Sequence, residues 1–558
     1  MLPSIPLLPA RCRRPSGVAA LWIAIALFLA QPAAAQGYLL SENSDTAATD
    51  SAPSRGKPRT DVARFHARVE AALAELHAQK ALWGVLIADR DTGETLFELN
   101  ADRFFTPASN AKIFTSALAL ASLGVDYRFH TTLESRGKLG DDGRLSGDLV
   151  LAGRGDPDLS NRRFPYTGKV ERDGPAEKVL AEMADAAVAK GLKEVDGDVV
   201  ADDSFFPYDP YPAGWGVGDL FFSFGAPVGA IAFNDNSLSI EVEAAARAAD
   251  PALLVIEPAA AADTFSREIT TGPAGEKPDL AVVRQPGSDF ILLRGSIPLG
   301  HAPIKLDLAM TEPAEVAART LRQLLEARGV RVTGGIRVQQ APPPAAIQPK
   351  DPPQASPATP AAPASDSLIL AEHISQPLLE IIRVMNKASL NLHAELLLRT
   401  VAREKTGVGS TDAGLNFEHE FLKSVGIADG DVVLSDGSGL SRDSLVTPRA
   451  VVALLRHVAS QPWGDDYLST LPIAGVDGTL EGRMTKTAAA GLIQAKTGSV
   501  ENVRAMSGYA TTLRGEHLVF SIFANNNPHH GRDAIEAVDA IGVAMVETLG
   551  MPQPKRKK

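Results

Sequence analysis

The chain has 558 residues, more than three times the roughly 150 of a common domain, so two or three domains are expected. Hydrophobic residues make up 45% and charged residues 22%, which excludes a wholly disordered, collagen-like or coiled-coil chain. Lys+Arg 55 against Asp+Glu 67 leaves a net charge of −12, which argues against a nucleic-acid binder.

The first 35 residues read as an export signal. Arg11, Arg13 and Arg14 form a basic start, Gly17 to Ala30 is an apolar run short for a bilayer span, and Ala33-Ala34-Ala35 offers a small-residue cleavage site. Cys12, the only cysteine, lies inside that signal, so the mature chain has no disulfide and no thiol nucleophile or ligand. These features suit a bacterial periplasm, with no transmembrane segment once the signal is cut. Residues 36–58 are polar and rich in Ser, Asp, Ala and Thr, a disordered leader by composition.

From Asp61 the pattern turns regular. Val62, Phe65, Val69, Ala72 and Leu76 follow helical spacing, an apolar strand runs over Leu82–Ala88, and Asp91-Thr92-Gly93 turns the chain into a returning strand at Thr95–Leu99. Thr106-Pro107-Ala108-Ser109 opens an apolar helix that runs to about Leu123. Residues 341–366 carry nine prolines among Ala and Ser, too many missing amide donors for a helix or a central strand, and are expected to be a linker. Beyond it, Leu378–Val401, Pro448–Ala459 and Arg532–Leu549 have helical patterns, and Arg504–Thr512 and His517–Asn525 read as paired strands. The end, Lys555-Arg556-Lys557-Lys558, is a basic tail that reads as a solvated end, with weak attraction to an anionic lipid or polymer as the alternative.

Three short segments carry chemistry. Ser109 and Lys112 lie three residues apart, on one helical face, where a desolvated lysine can take the proton of a serine hydroxyl. Early-turn backbone amides and the helix dipole would favour an anion forming beside Ser109. In Asn386-Lys387-Ala388-Ser389-Leu390-Asn391, Ser389 supplies a proton-passing hydroxyl and Asn391 an amide that can hold a substrate carbonyl. In Ala495-Lys496-Thr497-Gly498-Ser499, just ahead of the strand pair, Lys496 and Thr497 can hold a carboxylate, and Gly498 would let a substrate backbone approach an edge strand. Each is commonplace alone; the ordered set Ser-x-x-Lys, Ser-x-Asn, Lys-Thr-Gly is specific. No His-Glu-x-x-His pattern stands among the eleven histidines, and Gly153-Arg154-Gly155 lacks the rest of a phosphate loop, so no metal and no cofactor is expected.

On these motifs the chain resembles the D-alanyl-D-alanine carboxypeptidase/endopeptidases, the class C low-molecular-mass penicillin-binding proteins, from about Asp61 to Leu549. Further blocks match in order: Gly147-Asp148-Leu149, Gly153-x-Gly155-Asp156-Pro157, Trp215 with Ala226-Pro227, Asn234-x-Asn236, Pro472 to Leu480 with its Asp477-Gly478-Thr479 turn, and Ser507-Gly508-Tyr509. The resemblance implies an α/β, β-lactamase/transpeptidase-like peptidase domain split in sequence, 59–130 and 367–550, with two β-rich domains inserted over 131–340. The 280 residues between Ser109 and Ser389 fit such an insertion.

It further implies acyl transfer on peptidoglycan stem peptides and acylation by β-lactam antibiotics. Ser109 would be the nucleophile, Lys112 the favoured base (with Lys496 as the other lysine), and the amides of Ser109 and Ser499 the oxyanion hole. Ser389 would return a proton, Asn391 would orient the acyl chain, and Lys496 with Thr497 would hold the terminal carboxylate. Asp202 and Arg442 match positions that read the charged end of the stem's side chain. Removal of terminal D-Ala and cutting of D-Ala cross-bridges both remain open. The alternatives are a serine β-lactamase or esterase on the same scaffold and a non-catalytic cell-wall-binding protein.

Overall fold

The computed structural model describes residues 59–344 and 367–550, apart from 76–77, 169–173, 286–287, 289 and 528–531. The export signal, the leader, most of the proline-rich segment and the basic tail lie outside the described residues.

One antiparallel sheet organises both ends of the sequence. Its strand order is Ile493–Val500, Val503–Thr511, His517–Asn525, Leu82–Asp89, Thr95–Leu99. Period-two alternation explains why its inner strands are apolar throughout. Along His517–Asn525, Leu518, Phe520, Ile522 and Ala524 face one core, with Phe65 and Val69 of the helix Thr60–Leu73 and Ile541 and Met545 of the helix Arg532–Thr548. Val519 and Phe523 face the other, with Phe114 and Leu118 of the helix Ala111–Leu123 and Leu454 and Val458 of the helix Pro448–Ala459. Each fully buried side chain of this kind contributes about 1.5–3 kcal/mol. The last of these helices starts with Pro448 behind a Thr447 cap whose hydroxyl accepts from the Ala450 amide at 3.1 Å.

The intervening chain builds sheets of its own. A seven-stranded mixed sheet contains His130–Leu139, Arg144–Ala152 and Val199–Pro207 and shares a core with the helices Lys178–Ala189 and Pro313–Ala327. Two three-stranded sheets follow, Phe265–Gly272 with Asp279–Arg284 and Ile291–Pro298, and Ser237–Glu243 with Leu253–Glu257 and Ile304–Ala309. Separate sheets and a separate core support the proposed split of the chain, with one difference. The strand Leu368–Ile374, expected on the peptidase side of residue 367, pairs antiparallel with His130–Leu139 and packs Leu370 into the inserted core.

Two local expectations also change. The helical pattern over Leu378–Val401 is broken at Ser389, which adopts a left-handed conformation (φ 61°) and separates Leu378–Ala388 from Asn391–Thr406. Apolar residues continue across the break, which hides the corner from a periodicity argument. Lys496-Thr497-Gly498 lies not ahead of a strand but within Ile493–Val500, the sheet edge.

Candidate active site

Ser109 sits in a short 3-10 turn, Ala108–Asn110, directly before the helix that carries Lys112. That helix is buried along Ala111–Leu120, so its lysine is wholly enclosed. The Lys112 ammonium nitrogen meets three oxygens: Ser109 Oγ at 3.0 Å, Asn391 Oδ1 at 2.6 Å and the Ser438 carbonyl at 2.7 Å. Burial lowers the Lys112 pKa to about 7, against the pull of Asp436 and Glu395. A neutral amine has two N–H bonds and one lone pair. Asn391 Oδ1 and Ser438 O can only accept, so they take the two N–H bonds and the lone pair faces the Ser109 hydroxyl.

Lys496 approaches from the opposite strand. Its Nζ lies 2.8 Å from Ser389 Oγ and 2.9 Å from the Thr497 carbonyl. Burial, helped by the charge of Lys112, drives its pKa well below the usual lysine range. Thr497 and Thr479 share a hydrogen bond of 2.6 Å, and Asp477, beside Thr479, is held by Lys387 at 2.6 and 2.7 Å. Asn110 donates to Ser507 Oγ at 2.7 Å, which ties the nucleophile turn to the sheet.

Ser109, Ser389, Asn391, Thr497, Ser499 and Arg442 line one cavity of about 600 Å³, so segments hundreds of residues apart converge. A larger cavity of about 810 Å³, walled by the helices Thr60–Leu73 and Arg532–Thr548, carries none of the motif residues.

Asp202 is not part of this wall. Its strand belongs to the inserted sheet, and its carboxylate is engaged by Arg136 at 2.6 Å and by the Ser204 hydroxyl at 2.5 Å. Two carboxylates do line the cavity, Glu501 and Asp219, and Asp219 lies 2.6 Å from the Arg442 guanidinium. Sequence reasoning missed Asp219, although it stands four residues after Trp215, inside a block already singled out.

Gly498 has a different cause from the one expected. A Cβ there would come 2.6 Å from the Pro107 carbonyl oxygen and 3.2 Å from Ala108 Cβ, so the glycine lets the strand press on the nucleophile turn.

Two buried carboxylates shape the loop that supplies the Ser438 carbonyl, and neither belongs to a motif. Glu395 accepts from the Gly437 and Ser438 amides at 3.1 and 2.8 Å. Asp436 accepts from the Gly439 and Ser441 amides at 2.9 and 2.8 Å and from Trp215 Nε1 at 3.0 Å.

The site brings together two desolvated lysines, each hydrogen-bonded to a serine, at the edge of a sheet. The D-Ala-D-Ala carboxypeptidase 3 (S13) family model matches residues 65–349 and 356–545. A D-alanyl-D-alanine carboxypeptidase of Actinomadura sp. is 34% identical over 498 residues, covering 87% of this chain and 85% of the relative. The D-alanyl-D-alanine carboxypeptidase DacB of Haemophilus influenzae is 28% identical over 453 residues, 79% of this chain and 85% of the relative. The crystal structure of penicillin binding protein 4 from that organism superposes with a TM-score of 0.70 at 25% identity, over 86% of this chain and 99% of that one. The chain belongs to the D-Ala-D-Ala carboxypeptidase 3 (S13) family and has the α/β fold of its penicillin-binding members, with additional β-rich sheets.

Proposed function

We propose that this chain is an exported serine peptidase that cleaves the D-Ala-D-Ala end of peptidoglycan stem peptides, or the equivalent bond in a cross-bridge, through an acyl-enzyme on Ser109. The observation that carries this reading is the ring of three oxygens around buried Lys112, one of them Ser109 Oγ at 3.0 Å.

In the first step the Ser109 oxygen bonds to the carbonyl carbon of the penultimate D-Ala while its proton passes to neutral Lys112. The amides of Ser109 and Ser499 receive the oxyanion; removing one such donor in a comparable enzyme costs ~10²–10³ in rate. The C–N bond then breaks, and the proton taken up by Lys112 passes by way of Ser389 to the leaving amine, which restores neutral Lys112. Water attacks the ester and releases the stem as a carboxylate, which returns Ser109 to its hydroxyl form.

Asn391 orients the acyl chain, and Lys496 with Thr497 binds the terminal carboxylate. Arg442 and Asp219, rather than Asp202, offer a charge pair on the cavity wall to the charged end of a stem side chain. The Haemophilus influenzae protein has been crystallised with a β-lactam, which supports penicillin as a covalent probe here. The sequence of residues 1–35 supports delivery to the periplasm.

The test is labelling with a fluorescent penicillin. A stable covalent band that Ser109→Ala erases is expected, together with release of D-Ala from a stem pentapeptide. Rapid loss of the label by hydrolysis would favour a β-lactamase. Absence of any label would leave a wall-binding protein.

A further inference from the structure

The Asn234-Asp235-Asn236 block lies in the inserted region, 155 residues before Ser389, and the reaction proposed above gives it no part. Its backbone is unusual. All three residues are left-handed, with φ of 54°, 53° and 52°, a conformation that costs L-residues free energy and that glycine normally serves. None of the three is glycine and all are buried. Such a turn persists only where its surroundings over-determine it. Here Asn234 donates to the Ser237 carbonyl at 2.7 Å, Asn236 to the Pro227 carbonyl at 2.8 Å, and the Asp235 amide to Ser160 Oγ at 2.9 Å.

What this turn presents is the Asp235 carboxylate. One oxygen is held by Arg162, with Nε at 2.8 Å. The other lies 3.0 Å from Nε2 of His393, a fully buried side chain. A carboxylate can only accept, so Nε2 carries the proton and donates. His393 stands two residues after Asn391, in the first turn of the helix Asn391–Thr406. That helix start has no side-chain cap, and the residue before its N-cap is the left-handed Ser389.

In this turn Asn391 must meet Lys112 and Ser389 must meet Lys496. The inserted region grips the turn at two points: the Phe224 carbonyl accepts from Asn391 Nδ2 at 2.8 Å, and Asp235 accepts from His393. Phe224, Asp235, His393, Ser389 and Asn391 all line one further cavity, of about 300 Å³, which adjoins the site.

We propose that Asp235, acting through His393, is a positioning residue that sets the Ser389–Asn391 turn against the two catalytic lysines. The inference rests on the acyl-transfer reading above. It makes the insertion a working part of the site as well as a cover for it.

The experiment is single-turnover acylation of the full chain by a fluorescent penicillin, comparing Asp235→Ala, His393→Leu and His393→Gln with the unaltered enzyme. Burst amplitude counts folded, competent sites, and the rate constant is read on those alone, so misfolding of one variant does not mask the result. Asp235→Ala and His393→Leu are expected to lower the acylation rate constant about 10- to 100-fold while the half-saturating penicillin concentration changes little. His393→Gln, which keeps an N–H near the position of Nε2, is expected to recover most of the rate. An unchanged rate constant in His393→Leu, a loss confined to amplitude, or no recovery in His393→Gln each overturns the proposal. Failure of the underlying reading shows separately, as a label that survives Ser109→Ala.

Discussion

Lys112 and Lys496 are equally buried yet differ in company. Lys112 sits among oxygens that can only accept, with Asp436 and Glu395 behind them to support its charge. For Lys496, no carboxylate offsets the burial, and the charge of Lys112 lowers its pKa further. With a pKa brought to about 7, Lys112 has both protonation states within reach near neutral pH, while burial and the charge of Lys112 pull Lys496 toward its neutral form. In the reaction proposed above, this difference gives them separate tasks. A terminal carboxylate arriving beside Lys496 would favour its protonated form, and that new charge would drive Lys112 toward its neutral, basic form. Substrate binding and activation of the base are then linked.

This division of labour can be broken in several ways. The largest effect belongs to the base: Lys112→Met should lower Ser109 acylation by ~10²–10⁴ at unchanged fold, read as the single-turnover rate with penicillin. Because burial brings Lys112 to about 7, acylation by the unaltered enzyme should climb as pH rises through that value and fall below it.

Lys496 should act on discrimination as well as on rate. A stem peptide with a free C-terminal carboxylate should outperform its C-terminal amide by roughly 10- to 100-fold, the worth of one charge-assisted contact. Lys496→Ala should collapse that ratio; a ratio that survives the substitution would move the carboxylate elsewhere.

Arg442→Ala and Asp219→Ala should each reduce turnover of stems with a charged side-chain end by roughly ten-fold, and change penicillin acylation much less. Asp202→Asn, remote from the wall, should leave that selectivity alone.

The smallest effect sharpens the comparison most. Glu395→Gln removes one of the two carboxylates that hold Lys112 up, so the basic form should appear at lower pH. The acid limb of the acylation profile should shift downward by less than about one pH unit. An upward shift would mean that Glu395 does not support the charge on Lys112.

Much of this was legible in the sequence where one physical rule dominates. The near-continuous apolar run of His517–Asn525 announces a strand buried on both faces, and Ser109 and Lys112, three apart, announce a shared face. Rules of spacing fail where distant chain supplies the partner. Asp202 and Asp219 are both acidic residues in the inserted region, and only the fold decides that the first meets Arg136 while the second meets Arg442. Glu395 lies on a helix that buries eleven residues in a row, Leu392–Ala402, so no polar stripe marks it as special. The corner at Ser389 and the strand Leu368–Ile374 escaped for the same reason: their partners, a second helix and His130–Leu139, are unrelated to local pattern.

The central sheet pairs Leu82–Asp89 with His517–Asn525, and the Lys-Thr-Gly strand enters beside them only through Val503–Thr511. A nascent chain halted anywhere before that late hairpin would carry Ser109 on a helix with no sheet edge beside it and no Lys496. The acyl-transfer machinery proposed above is therefore complete only once nearly the whole polypeptide has been synthesised and folded.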